Sequence, residues 1–267
     1  MTKVTKTGQS DSVRPCILSP MSLQKSRSLC LATMLVCAGA VSCAENAGAG
    51  AGTPTSLSSV EVVVQMHSHT AARILQLKHY KALRHYQVEY RGYSATISAR
   101  MDVEADYESA SGMSFRIVSQ SGSKLLCDKV LKRAVESEQE ASRDRGLTAL
   151  TPANYRFQLA GNESVGGRPA YILVVEPLTD SKFLYKGKIW VDAEDFAVVK
   201  METEPAKNPS FWISRTLIHY TSALAHGYWL PQKVRSETKV RIGGTAVLTI
   251  DYGDYQVESN APYTAGS

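Results

Sequence analysis

From Tyr86 to Tyr252 the chain keeps returning to one pattern, apolar and polar residues alternating at period two between turn signals. Successive side chains of a strand point to opposite faces, so this pattern commits the chain to a sheet with one buried face. Tyr86, Val88 and Tyr90 alternate with Gln87, Glu89 and Arg91 until Gly92, and Met113, Phe115 and Ile117 give a short second strand. Tyr171–Val175 follows the turn at Gly166-Gly167, and Lys188–Val191 and Val198–Met201 flank a hairpin turn at Asp192–Asp195. Strands over Trp212–Tyr220, Leu230–Arg235 and Ala246–Tyr252 bring the number to about eight, mostly in hairpin order.

Two stretches read as helix instead. The first covers residues 57–83, after Ser and Thr capping candidates, with Ile74, Leu77 and Tyr80 at three-residue steps. The second runs from Lys124 to Asp144. There Cys127, Val130, Leu131, Ala134 and Val135 form one apolar stripe, opposite Lys129, Lys132, Arg133, Glu136 and Glu140. The expected fold is α+β, a strongly curved antiparallel sheet whose apolar face is covered by two main helices.

The net charge of +5 belongs mostly to residues 1–44, where Lys3, Lys6, Arg14, Lys25 and Arg27 face only Asp11. The remaining chain is close to neutral, which argues against a phosphate-tracking, nucleic-acid-binding surface. Those first 44 residues read as a leader. Lys25 and Arg27 precede an uncharged, mostly apolar run from Leu29 to Val41, followed by Ser42, Cys43 and Ala44. Translation starting at Met21 suits this leader better than an unusually long polar n-region. Small residues at Ser42 and Ala44 fit cleavage before Glu45. Ala40-Val41-Ser42-Cys43 also fits a degraded lipobox, with Cys43 lipidated. Residues 45–56 form a Gly/Ala/Ser-rich linker, residues 57–258 the domain and residues 259–267 a tail. Four of the five cysteines lie at or before Cys43, so Cys127 has no partner within the domain and suits a small core residue.

Catalytic signatures fail on their spacing. Ser121-Gly122-Ser123-Lys124 has an S-x-x-K pattern without the other elements that chemistry requires, and reads as a turn before a helix. Gly161 and Gly166 have phosphate-loop spacing, but Gly167-Arg168 stands where a Lys-Ser/Thr pair belongs. His67, His69, His79 and His85 bring no obvious tetrahedral set. Asp102/Glu104 and Asp251/Asp254 read as solvated carboxylates near strand ends. No catalytic residue, metal or cofactor is expected. The thirteen tyrosines, many at alternating strand positions, suit either ordinary sheet packing or a face lined by amphipathic rings.

The segment Lys186-Gly-Lys-Ile-Trp-Val-Asp192, followed by Phe196-Ala-Val-Val-Lys-Met-Glu202, resembles a hairpin of the bacterial LolA/LolB-like lipoprotein carriers, a superfamily that also includes the lipid-sensing domain of MucB/RseB. Element order and the late segment Trp229-Leu-Pro231 are similar too. The segment from Glu204 to Pro209 has no counterpart in that resemblance. The resemblance implies an open half-barrel whose cavity takes the acyl chains of lipoproteins or related lipids. It also implies a periplasmic setting, anchored at the outer membrane if Cys43 is lipidated. Partners would be lipoproteins or lipid acyl chains and the sorting components of the inner or outer membrane, with the carrier a monomer. The cavity lining is then one alternating set: Tyr86, Val88, Tyr90, Phe115, Ile189, Val191, Val199, Met201, Ile218, Tyr220, Leu248 and Ile250. Two rival readings are a MucB/RseB-like envelope-stress regulator, disfavoured by a chain end so close to the last strand, and an exported hydrolase assembled from distant strands.

Overall fold

A computed structural model describes residues 57–259, apart from residues 144, 145, 147, 209 and 242. The leader, with Met21 and Cys43, the linker and the tail beyond Ser259 lie outside the described residues. Helix α1 spans Ser59–Gln76. Strands β1 (Leu77–Arg91), β2 (Thr96–Glu108) and β3 (Gly112–Gly122) follow. A helical crossover comes next: α2 (Lys124–Leu126), a π turn (Cys127–Leu131) and α3 (Lys132–Arg143). The chain then runs through β4 (Tyr155–Val165), β5 (Arg168–Pro177), β6 (Tyr185–Asp192), β7 (Val198–Pro205), β8 (Ile213–Ala225), β9 (Tyr228–Val240) and β10 (Thr245–Ser259).

All ten strands join one sheet in the order β3-β2-β1-β10-β9-β8-β7-β6-β5-β4. Every pairing is antiparallel, and the sheet does not close into a barrel. Strands β3 and β4 are its two edges, and the α2–α3 crossover connects one edge to the other. Among the described residues the strand number is therefore ten and not eight. Two strands escape the sequence reading. In β2, Ala99, Met101, Val103, Ala105 and Tyr107 are buried at strict alternation, and Asp102 and Glu104 point to the other face of the same strand instead of ending it in a turn. In β4, Tyr155, Phe157 and Leu159 alternate in the same way.

Helix α1 begins as expected. The Ser58 hydroxyl accepts from the Glu61 amide at 3.3 Å, and the Ser58 amide donates to the Glu61 carboxylate at 2.8 Å, a reciprocal capping box. It ends at Gln76, so residues 77–83 are strand and not helix. Their burial alternates, with Tyr80, Ala82 and Arg84 inward, and the three-residue spacing of Ile74, Leu77 and Tyr80 is coincidental.

Two of the core clusters join the helices to the inner face. The α2–α3 segment sets Leu126, Cys127, Leu131 and Val135 on Tyr86, Val88, Met101, Val103 and Ile250. Helix α1 sets Val62, Val63 and Met66 on Tyr155, Leu173, Val175, Ile189 and Val191. One helical element thus covers the β1–β3 half and the other the β4–β7 half.

The β6–β7 hairpin owes its sequence to structural demands. Gly187 adopts φ +142°, and a Cβ there would lie 2.3 Å from the Glu202 carbonyl oxygen, so the neighbouring strand excludes any side chain. The Trp190 indole donates to Glu163 at 2.7 Å on the outer face, with the Lys200 ammonium 4.1 Å from its ring centroid. Asp192, fully buried, accepts from Arg168 at 2.6 and 2.8 Å and from the amides of Glu194 and Asp195 at 3.0 and 2.8 Å. Burial raises the pKa of this carboxyl, but the bonds from Arg168 and the two amides outweigh it and hold the pKa below the usual range. Its contribution to stability is therefore present above about pH 4 and lost as pH falls through the lower folded-state value. Replacing Asp192 with Ala is expected to cost about 3 kcal/mol in urea denaturation at neutral pH, and the gap to the parent protein should narrow on acidification.

Candidate functional site

Between the two helix-covered halves, the inner faces of the middle strands are left open. A cavity of about 370 Å³ lies there, against α3. Its floor comes from alternate residues of consecutive strands: Tyr185 of β6, Met201 and Thr203 of β7, Ile218 and Tyr220 of β8, Val234 and Ser236 of β9, and Ile250 and Tyr252 of β10. Ala134, Ser137 and Glu138 of α3 form its wall. A second cavity of about 550 Å³ lies under the C-terminal half of α1, bounded by Ala71, Ile74 and Leu77 on one side and Val198, Tyr228 and Leu230 on the other. Both fall within the range of about 300–1,000 Å³ seen for small-molecule sites.

Of the expected lining, Met201, Ile218, Tyr220 and Ile250 face the middle cavity. Tyr86, Val88, Tyr90, Phe115 and Leu248 also belong to the inner face but pack into the cluster under α2–α3, and Ile189 and Val191 pack under α1. Val199 is a correction. A bulge shifts the register between Trp190 and Val191 against β7, so that Val198 turns inward while Val199 joins Ala170 and Trp190 on the outer face. Period-two counting from Met201 breaks at that extra residue.

A buried ion pair stands within the apolar face beside the middle cavity. Arg84 of β1 is only 4% exposed and pairs with Glu138 of α3. Its guanidinium carbon lies 5.0 Å from the ring centroids of both Phe115 and Tyr252, on strands to either side. The other Glu138 oxygen accepts from the Tyr86 hydroxyl at 2.7 Å. Burial pushes the Glu138 carboxyl up, against the opposing pull of Arg84 and Tyr86. Burial likewise raises the phenols of Tyr185 and Tyr252, and pushes Tyr220 up to about 12, so these hydroxyls stay protonated at neutral pH.

Both charged residues were legible as exceptions to a pattern. Arg84 shares the inward parity of Tyr86 and Val88, and Glu138 continues the helical stripe of Leu131 and Val135. The other candidates take local roles. The His67 ring bonds the Leu150 carbonyl at 3.0 Å, His79 lies 2.9 Å from Asp106, and His85 lies 2.8 Å from Asp102. Asp251 pairs with Lys233 at 3.0 Å, and Cys127 is buried with its thiol 3.6 Å from the Ser121 carbonyl. Gly166 and Gly167, at φ +60° and +85°, form the β4–β5 turn. Among the described residues no group of three or more His, Cys, Asp or Glu is arranged to hold a metal. No helix there is long and apolar enough to cross a membrane.

No family model and no curated protein matches the chain. Solved structures similar to it include a LolA superfamily protein from Nitrosomonas europaea, at 14% identity and TM-score 0.34, covering 76% of this chain and 94% of that one. A lipoprotein-sorting protein domain from Vibrio parahaemolyticus matches at 12% identity and TM-score 0.41, covering 75% and 94%. The lipoprotein LppX of Mycobacterium tuberculosis matches at 12% identity and TM-score 0.29, covering 78% and 100%.

Truncating Glu138 to Ala leaves the Arg84 cation buried without its partner and is expected to destabilise the fold by about 3 kcal/mol. The double variant Arg84→Met/Glu138→Leu should recover most of that loss. Urea midpoints of the two variants and the parent measure both effects.

Proposed function

We propose that the protein is an exported, monomeric and non-enzymatic carrier or receptor that holds the acyl chains of lipoproteins or related lipids and serves their sorting toward the outer membrane. The observation that carries this reading is the middle cavity, an apolar floor left uncovered between two helix-covered halves of one sheet. Each methylene moved from water into such a site contributes about 0.8 kcal/mol, so even a partly buried chain gains useful affinity without covalent chemistry. The cavity beneath α1 offers a second apolar volume on the same face. The basic and apolar leader supports export to the periplasm, with Cys43 as the point of anchoring if it is lipidated. Sorting components of the envelope membranes would be the protein partners, and no cofactor is required.

Native mass spectrometry of protein purified from a bacterial periplasm is expected to show co-purifying lipid, and titration with a lipidated peptide to show saturable binding. Ile218→Glu sets a charge on the cavity floor and should weaken that binding on the order of tenfold or more, with circular dichroism unchanged. Leu248→Glu, at a packed position, should instead lower stability. Absence of co-purifying lipid and of lipopeptide binding would refute the carrier. Turnover across an esterase, lipase and phosphatase panel, abolished by one substitution, would replace it with an enzyme.

A further inference from the structure

We infer that the end of the sheet formed by the β1–β2, β7–β8 and β9–β10 connections docks on a lipid bilayer that carries anionic head groups. This concerns where the protein sits and does not depend on what the middle cavity holds.

Among the described residues, three of the Phe, Trp and Tyr side chains are exposed: Tyr93 at 92%, Phe211 at 74% and Trp212 at 57%. All three stand at this one end of the sheet, Tyr93 between β1 and β2 and the other two between β7 and β8. Direct contacts join the connections into one surface. The Phe211 and Trp212 rings meet edge to face, with 5.6 Å between centroids. The Arg241 guanidinium carbon lies 5.0 Å from the Phe211 centroid, and the Arg241 amide donates to the Trp212 carbonyl at 2.8 Å. Tyr93 lies against Gly243, where a Cβ would stand 2.0 Å from its ring. Exposed aromatic rings gathered at one place mark a surface that is covered in use. Trp and Tyr in particular settle at the boundary between water and the hydrocarbon of a bilayer.

The charges behind these rings are layered to suit an anionic surface. The three connections, residues 92–95, 206–212 and 241–244, hold Lys207 and Arg241 and no acidic residue. The last rung of the outer face sets Arg215 opposite Lys239, and Thr245 opposite both Lys239 and Arg91. Glu237 and Glu89 flank Val247 on the next rung, about 7 Å further from the tip. The nearby carboxylates Glu89, Glu204 and Glu237 are each paired, with Arg91, Arg215 and Arg235, so Lys239 and Arg241 carry the excess charge. Approaching end-on, the protein therefore presents aromatic rings first and cations next, the order in which a bilayer presents its boundary and its phosphates. Two such tips would bring like charges together, which disfavours a second copy of this chain as the occupant.

The full chain would be titrated with vesicles of phosphatidylcholine, alone or mixed with phosphatidylglycerol, whose brominated acyl chains quench tryptophan fluorescence. Trp190 is buried and Trp229 sits at the opposite end of β9, so quenching reports Trp212 even if the leader itself holds the chain to the vesicle. Half-maximal quenching is expected at a lipid concentration on the order of tenfold lower with phosphatidylglycerol than without, a difference that high salt should remove. Arg241→Glu and Phe211→Ser should each raise that concentration on the order of tenfold and leave the urea midpoint unchanged, because both side chains lie at the tip and the leader is untouched. Trp212→Phe should abolish the quenching yet still sediment with the vesicles. An unquenched Trp212 on every vesicle would overturn the docking surface. Equal quenching on both lipids, or an Arg241→Glu variant that titrates like the parent, would overturn its preference for anionic head groups. A dimer in sedimentation velocity that Phe211→Ser dissociates, without quenching, would give the surface to a second copy and overturn the inference. Each of these outcomes leaves the acyl-chain carrier to be judged on its own test.

Discussion

The pairing of β1 with β10 holds the sheet together. Every other neighbouring pair of strands is joined by a local connection, whereas this one brings residues 77–91 against residues 245–259. It puts the strand that follows α1 in the interior of the sheet and sends both edges outward to β3 and β4. The chain can pass from one edge to the other only by crossing the sheet, and the α2–α3 segment makes that crossing over the inner face. The crossover covers the β1–β3 half, α1 covers the β4–β7 half, and the middle strands are left to line a cavity. The cavity is thus a consequence of topology, set before any single lining residue is chosen.

Much of this was legible in the sequence, and the gaps have physical causes. Period-two alternation finds strands where one face is apolar, as in β1, β6 and β10. In β2 the same alternation is present, yet its small inward residues Ala99 and Ala105 and its acidic outward ones made it resemble a loop. The end of α1 could not be read from periodicity, because Ile74, Leu77 and Tyr80 satisfy a helical step while Tyr80, Ala82 and Arg84 satisfy a strand. Only the extended backbone at Leu77 decides between them. Val199 shows the other limit: a bulge has no signature in composition, and one extra residue reverses the face of those that follow.

The hairpin from Gly187 to Asp192 carries a related lesson about motifs. Its glycine, tryptophan and aspartate all have demanding structural roles, in strand approach, outer-face packing and turn formation. A likeness built on such residues speaks to architecture. The residues of the cavity, in contrast, are ordinary ones spread over five strands and a helix, with no local signature. What marks them is the buried Arg84–Glu138 pair, two charges at positions that the surrounding pattern reserves for apolar side chains. Such pairs rarely add stability over an apolar replacement.

The two edges of the open sheet are each interrupted. On β3, Asp102 faces Ser119 while Val103 faces Ile117, so that Val118 is an extra residue at the point where this edge exposes its aliphatic side chains. On β4 the register slips between Leu159 and Gly161. An unbroken row of free amides and carbonyls invites another sheet to dock strand against strand, and a bulge twists that row out of line. Both ends of the sheet therefore resist self-templating, and a sheet left open in this way avoids growing into a fibre.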